Sequence, residues 1–93
     1  MVELAAQLVR AVGSIGANIA EGYSRLSTRE RARFFEYALG SARESRDWYY
    51  KARLDLDEGV AAQRITLLTG MAKVMLALIT RYRRQAKSAR RRT

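Results

Sequence analysis

Apolar residues along this chain recur at intervals of three and four, the spacing that gathers them on one side of a helix. In the first segment the stripe is Ala5, Leu8, Val12, Ile15 and Ile19, and Gly22 stands where a left-handed glycine cap would end it. A second segment opens at Ser27, whose hydroxyl can accept from free amides while Glu30 reaches back, a capping box. Its stripe is Phe35, Ala38, Ala42, Ser45, Tyr49 and Ala52, flanked by Phe34, Ser41 and Trp48, and it is expected to end near residues 54–56. Asp57 is the expected N-cap of a third helix, with Glu58 in the first turn, where the helix dipole favours an acid. That helix carries one stripe of Ile65, Leu68, Ala72, Met75, Ile79 and Tyr82 and a second of Leu67, Met71, Val74 and Leu78. Strand-type alternation is hard to find and proline is absent, so the expected class is all-α.

Two adjacent stripes mean that the third helix is covered from two directions. The second and third helices are each expected to be about 40 Å long, at 1.5 Å per residue, and the first is shorter. Three unequal helices in an up-down antiparallel bundle leave part of the long pair bare. A fourth helix or another subunit is wanted there.

The segment "SIGANIAEGYSR" weakens its own helix, since each glycine costs about 1 kcal/mol relative to alanine in a helix interior. Gly13, Gly16, Ala17 and Ala20 form a strip with almost no side-chain bulk, to which another backbone can come close. Beside it Gln7, Ser14, Asn18 and Glu21 make a polar ridge, and the second helix offers a comparable set in Gly40, Ser41 and Glu44. These surfaces are expected to meet, within or between subunits, with Asn18, Glu21, Ser41 and Glu44 hydrogen-bonded near helix ends or to Arg10 or Arg25. The alternative is that the ridge faces water and the glycines mark a frayed end.

Charge changes the picture. The net charge is +9, and residues 81–93 alone hold Arg81, Arg83, Arg84, Lys87, Arg90, Arg91 and Arg92 with no acid. Residues 1–80 are nearly balanced, with eleven bases and nine acids. The division expected is a helical domain at 1–86 and a basic tail at 87–93, which offers no Leu, Ile, Val or Phe to bury. Such asymmetry points to a polyanion, most often nucleic acid. A solubilising tail, a dipole-favoured helix end and an anionic membrane surface are the alternatives.

Candidate chemistry is sparse. With no histidine and no cysteine, the commonest general base and the thiol nucleophile are missing, as are disulfides and thiolate metal sites. Asp55, Asp57 and Glu58 read as capping residues before they read as a cation site, and Glu21 with Glu44 lacks a pocket signal. Trp48 and Tyr49 of "DWYY" are expected in the core and Tyr50 at an interface, with base stacking as the alternative. No apolar run approaches the roughly 20 residues of a membrane span, and the N-terminus lacks the basic start of a secretory signal. The expectation is a non-enzymatic cytoplasmic protein without cofactor or metal.

The stretches "QLVRAVGSIGANIAEGYSR" and "FFEYALGSARESRDWYYKA" resemble the helical-bundle proteins encoded in intervening sequences of bacterial 23S rRNA genes, a family similar to Avd, the accessory protein of diversity-generating retroelements. Gln7, Leu8, Arg10, Ala11, Ser14, Ile15, Asn18, Ile19, Ala20, Glu21, Gly22, Phe34, Ala38, Gly40, Ser41 and Glu44 stand on the family's pattern. Gly16 replaces the pattern's proline, and the chain looks short of the family's usual first helix, natively or through a later start codon. The resemblance implies a four-helix bundle that assembles into an oligomeric ring, often a pentamer. For the Avd relatives it also implies a basic surface for RNA or DNA and a reverse transcriptase partner.

The functional expectation is an oligomer that binds nucleic acid with little sequence specificity through Arg81, Arg83, Arg84, Lys87, Arg90, Arg91 and Arg92, with Arg29, Arg31 and Arg33 adding to that surface. The alternative is a protein–protein adaptor. Gly13, Gly16, Asn18, Glu21, Gly22, Gly40, Ser41 and Glu44 form the expected structural or interface motif.

Overall fold

A computed structural model describes residues 2–92, apart from the side chains of Val2 and Arg92. It contains three helices, α1 (Val2–Ser24), α2 (Thr28–Lys51) and α3 (Glu58–Arg92), and among the described residues no strand. The two N-caps read from the sequence are in place. Ser27 Oγ accepts from the Glu30 amide at 3.0 Å, and Asp57 Oδ1 accepts from the amides of Gly59 and Val60 at 2.9 and 3.2 Å. The return half of the capping box is replaced by an ion pair, because Glu30 turns to Arg33 at 3.7 Å.

The stripe of α2 organises the molecule. Phe35, Ala38, Ala42, Ser45 and Ala52 are buried, and Ser45 satisfies its hydroxyl on the Ser41 carbonyl. Small residues at 38, 42 and 45 let both neighbours approach. Ile15 of α1 and Leu68 of α3 meet Ala42, while Ala72 and Met75 of α3 pack with Phe35, Ala38 and Leu39. Paired contacts run in opposite senses along the helices: Ser14 with Ser41 and Tyr23 with Phe35, then Glu36 with Arg83 and Arg46 with Thr69. Thus α2 lies antiparallel to both neighbours. No Cα of α1 comes within 8 Å of one in α3, so α2 is the middle element.

Four expectations are corrected. Gly22 does not cap α1: the helix continues to Ser24 and no described glycine has a positive φ. Gly22 is buried, and a Cβ there would lie 3.3 Å from two Phe35 ring carbons and 3.4 Å from the Phe34 Cβ. Close approach, not a left-handed turn, requires this glycine. Helix α2 stops at Lys51, and Ala52–Leu56 continue in hydrogen-bonded turns rather than in the helix. Residues 87–92 are not set apart but prolong α3, consistent with the high helix propensity of Ala, Lys and Arg and the favourable basic charge at a helix C-terminus. Finally, α3 is long and apolar enough to cross a membrane by length and composition, with an 18-residue stretch of mean hydropathy 1.3. Arg64 and Lys73 break up the apolar run, yet they are the only charges between Gly59 and Thr80, too few to lower its mean. Its buried residues Leu68, Ala72 and Met75 pack on α2.

Candidate functional site

The start of α2 and the end of α3 lie side by side because the two helices are antiparallel. Arg83 spans them, donating from Nε to Glu36 Oε1 at 3.1 Å and closing an ion pair through its second nitrogen. One shallow cleft beside this clamp is lined by Arg29, Arg83, Ala86, Lys87, Arg90 and Arg91. A second adjoins it, shares Arg29 and Arg83, and adds Ser27, Glu30 and Arg33. Six of the ten arginines and lysines proposed from sequence are therefore brought together on one face. Among the described residues Arg29, Lys87 and Arg91 have no carboxylate within 4.0 Å, whereas Arg33 and Arg83 are tethered by Glu30 and Glu36.

The remaining four are placed otherwise. Arg81 and Arg84 lie further round α3, beside Leu76, Ala77, Thr80 and Gln85. The side chain of Arg92 is outside the described residues. Arg31, expected to add to the basic surface, turns inward instead: its Nε donates to the Arg25 carbonyl at 2.7 Å and its guanidinium lies 5.8 Å from the Tyr82 ring centre. A half-buried charge so close to the α1–α2 connection is used to tie that connection down.

The α1–α2 motif is partly assembled. The Ser14 and Ser41 hydroxyls are 2.8 Å apart, and Asn18 Nδ2 donates to the Ser14 carbonyl and hydroxyl at 2.9 and 3.0 Å. Glu21 pairs with Arg25, as expected, and Arg25 stacks over Phe34 at 4.7 Å. Glu44 stays exposed, and its contact is Trp48 Nε1 at 3.4 Å, one turn along its own helix. Gly13, Gly16 and Gly40 have open space where a Cβ would project, so no close approach within the subunit explains them. Tyr49 packs into the core and Trp48 is half-buried under Lys51, while Tyr50 remains exposed beneath Arg53.

Sequence reasoning missed two members of the basic face. Glu36 sets the position of Arg83 across forty-seven residues, and no local spacing signals such a pair. Tyr37 is exposed to 47% and its hydroxyl accepts from Arg33 Nε at 3.0 Å. The interval of four from Arg33 to Tyr37 was the available clue.

Among the described residues no three His, Cys, Asp or Glu side chains converge on one point. Neither a curated protein nor a solved structure matches this chain. A family model for the 23S rRNA-intervening sequence protein matches residues 1–75, well over half the chain and ending before the basic run of α3. The chain belongs to the 23S rRNA-intervening sequence protein family.

Proposed function

We propose that this chain is a non-enzymatic, cytoplasmic protein that binds the backbone of RNA or DNA through the face shared by α2 and α3, with little sequence specificity. The observation that carries the reading is the convergence of Arg29, Arg33, Arg83, Lys87, Arg90 and Arg91 from two helices. Surface cations gathered at close quarters raise the local potential and attract phosphates, which carry no sequence information themselves. Fluorescence anisotropy against salt tests it. Neutralising three to six phosphates makes log K fall by about 0.7–0.9 per phosphate for each tenfold rise in salt. Removing residues 86–93 should weaken binding at least about tenfold at low salt. The described side chains among them, at residues 86–91, are exposed or partly exposed, and none belongs to the core. Salt-insensitive binding, or none at low ionic strength, overturns the reading.

A second reading is favoured by the outer stripe of α3, where Val60, Leu67 and Val74 are 41%, 53% and 55% exposed. In it a protein covers that face: further copies of this chain in a bundle or a ring, five being the favoured number, or a partner such as a reverse transcriptase. Light scattering on a gel-filtered sample should then give several times the 10.6 kDa of one chain. A monodisperse monomer at micromolar concentration removes the self-assembled form.

A further inference from the structure

We propose that the nucleic acid taken by the α2–α3 face is single-stranded, with one base stacked on Tyr37; this rests on the reading above and names its ligand. Arg29, Arg33 and Tyr37 follow one another at intervals of four, one per turn, along the solvent side of α2. The line therefore passes from the paired and unpaired cations of the clefts directly onto an aromatic ring. The Tyr37 ring is held in a fixed attitude. Its hydroxyl is tethered by Arg33, and its plane stands at 90° to Phe34, with centroids 5.5 Å apart. An aromatic so fixed has already lost the rotamer freedom that binding would otherwise remove.

The next turn supplies room. Gly40 follows Tyr37 by three residues, is exposed, and has nothing within 4 Å of where a Cβ would lie. A flat group can lie against the ring without meeting a side chain from that position. One turn further, Glu44 puts a carboxylate on the same exposed side, which ends the stretch favourable to phosphate. From Arg29 to Gly40 the helix covers about 17 Å, enough for about five stacked nucleotides. On the α3 side, Lys87 and Arg91 flank the strand's other end.

Single-strandedness follows from the aromatic. In the interior of a duplex both faces of each base are occupied by neighbouring bases, so a tyrosine lying along its side finds no open base face. A base free of its stack can lie on the ring, and such stacking tolerates any sequence. A cation line running onto a tyrosine is thus matched to an open strand.

The test compares labelled poly-uridine and poly-thymidine strands with a blunt duplex of equal length, by anisotropy at low salt, for the wild-type chain and for Tyr37→Leu, Tyr37→Phe and Tyr50→Leu. The single strands should bind more tightly than the duplex. Tyr37→Leu should weaken single-strand binding about 5- to 100-fold and leave duplex binding within about twofold. Tyr37→Phe, which keeps the ring but loses its tether to Arg33, should fall between wild type and Tyr37→Leu, whereas Tyr50→Leu, at the exposed tyrosine away from the clefts, should stay close to wild type. Circular dichroism of each variant separates lost binding from lost fold, and if Tyr37→Leu unfolds, Gly40→Leu, which fills the space beside the ring, takes its place with the same expected loss. Equal single-strand and duplex affinity with no effect at Tyr37 overturns the inference and leaves the backbone-binding reading standing. No binding of any strand overturns both.

Discussion

Gly22→Ala and Gly16→Ala make the same chemical change on one helix and should move stability in opposite directions. Both glycines sit inside α1, so alanine brings each about 1 kcal/mol of helix propensity. At Gly16 nothing within 4 Å opposes the new methyl group, and the gain should appear in full. At Gly22 the methyl carbon would stand 3.3 Å from Phe35 Cε1 and Cζ, inside the 3.5–4.0 Å at which carbon atoms attract. The ring cannot retreat. Phe35 is fully buried, with Tyr82 stacked at 5.6 Å on one side and Tyr23 edge-on at 5.2 Å on another. Relief must come from moving α1 away from α2, and overpacking of that kind costs about 1–3 kcal/mol. The net expected for Gly22→Ala is therefore a loss of up to about 2 kcal/mol, against a gain of about 1 kcal/mol for Gly16→Ala. At roughly 4–8 °C per kcal/mol for a domain of this size, the two melting temperatures should differ by at least about 4 °C. Far-UV circular dichroism melts at one protein concentration read this directly. If Gly22→Ala raises the midpoint as much as Gly16→Ala does, the close-approach account of Gly22 is wrong. If Gly16→Ala lowers the midpoint and the loss grows on dilution, its bare strip is covered by another chain.

Two further outcomes can be checked on the same samples. Ser27→Ala removes the acceptor for the Glu30 amide and should cost about 1 kcal/mol in a urea melt, with the Thr28–Arg31 amides exchanging faster by hydrogen exchange. Glu36→Gln releases Arg83 from an exposed pair worth at most about 1 kcal/mol, so the melt should scarcely change. Nucleic-acid affinity at low salt should meanwhile rise, by about fivefold at most, because one repelling carboxylate has gone; a fall would show that Glu36 serves to aim Arg83 at the ligand.

The helices themselves were legible because their causes are local. The α2 stripe from Phe35 to Ala52 and the caps at Ser27 and Asp57 each depend on residues within a few turns, and the structure places them as the spacing implies. What escaped depends on a second helix. Gly22 can be a cap or a contact, and only the Phe35 ring from α2 decides between them. Arg31 carries the same charge as Arg29 and Arg33, yet its place on the helix turns it toward the Arg25 carbonyl and Tyr82. The convergence of Arg29 with Lys87 and Arg91 was expected as a sum of charge, not as a cleft, since only the antiparallel register brings the two ends together. In the same way the exposure of Tyr37 is fixed by which side of α2 its neighbours leave open.

That α2 is flanked by α1 and α3, whose backbones do not meet, has a kinetic consequence. Every helix packs chiefly on the one next to it in sequence, joined by a short connection, so little loop entropy is spent before packing begins. Chains with such local topology fold in microseconds to milliseconds. The order of events is also constrained: α2 must be present for either neighbour to dock, whereas α1 and α3 can each add to it in either order. Folding then resembles growth from a central unit with two faces, closer to the nearest-neighbour assembly of a repeat protein than to the closure of a single core.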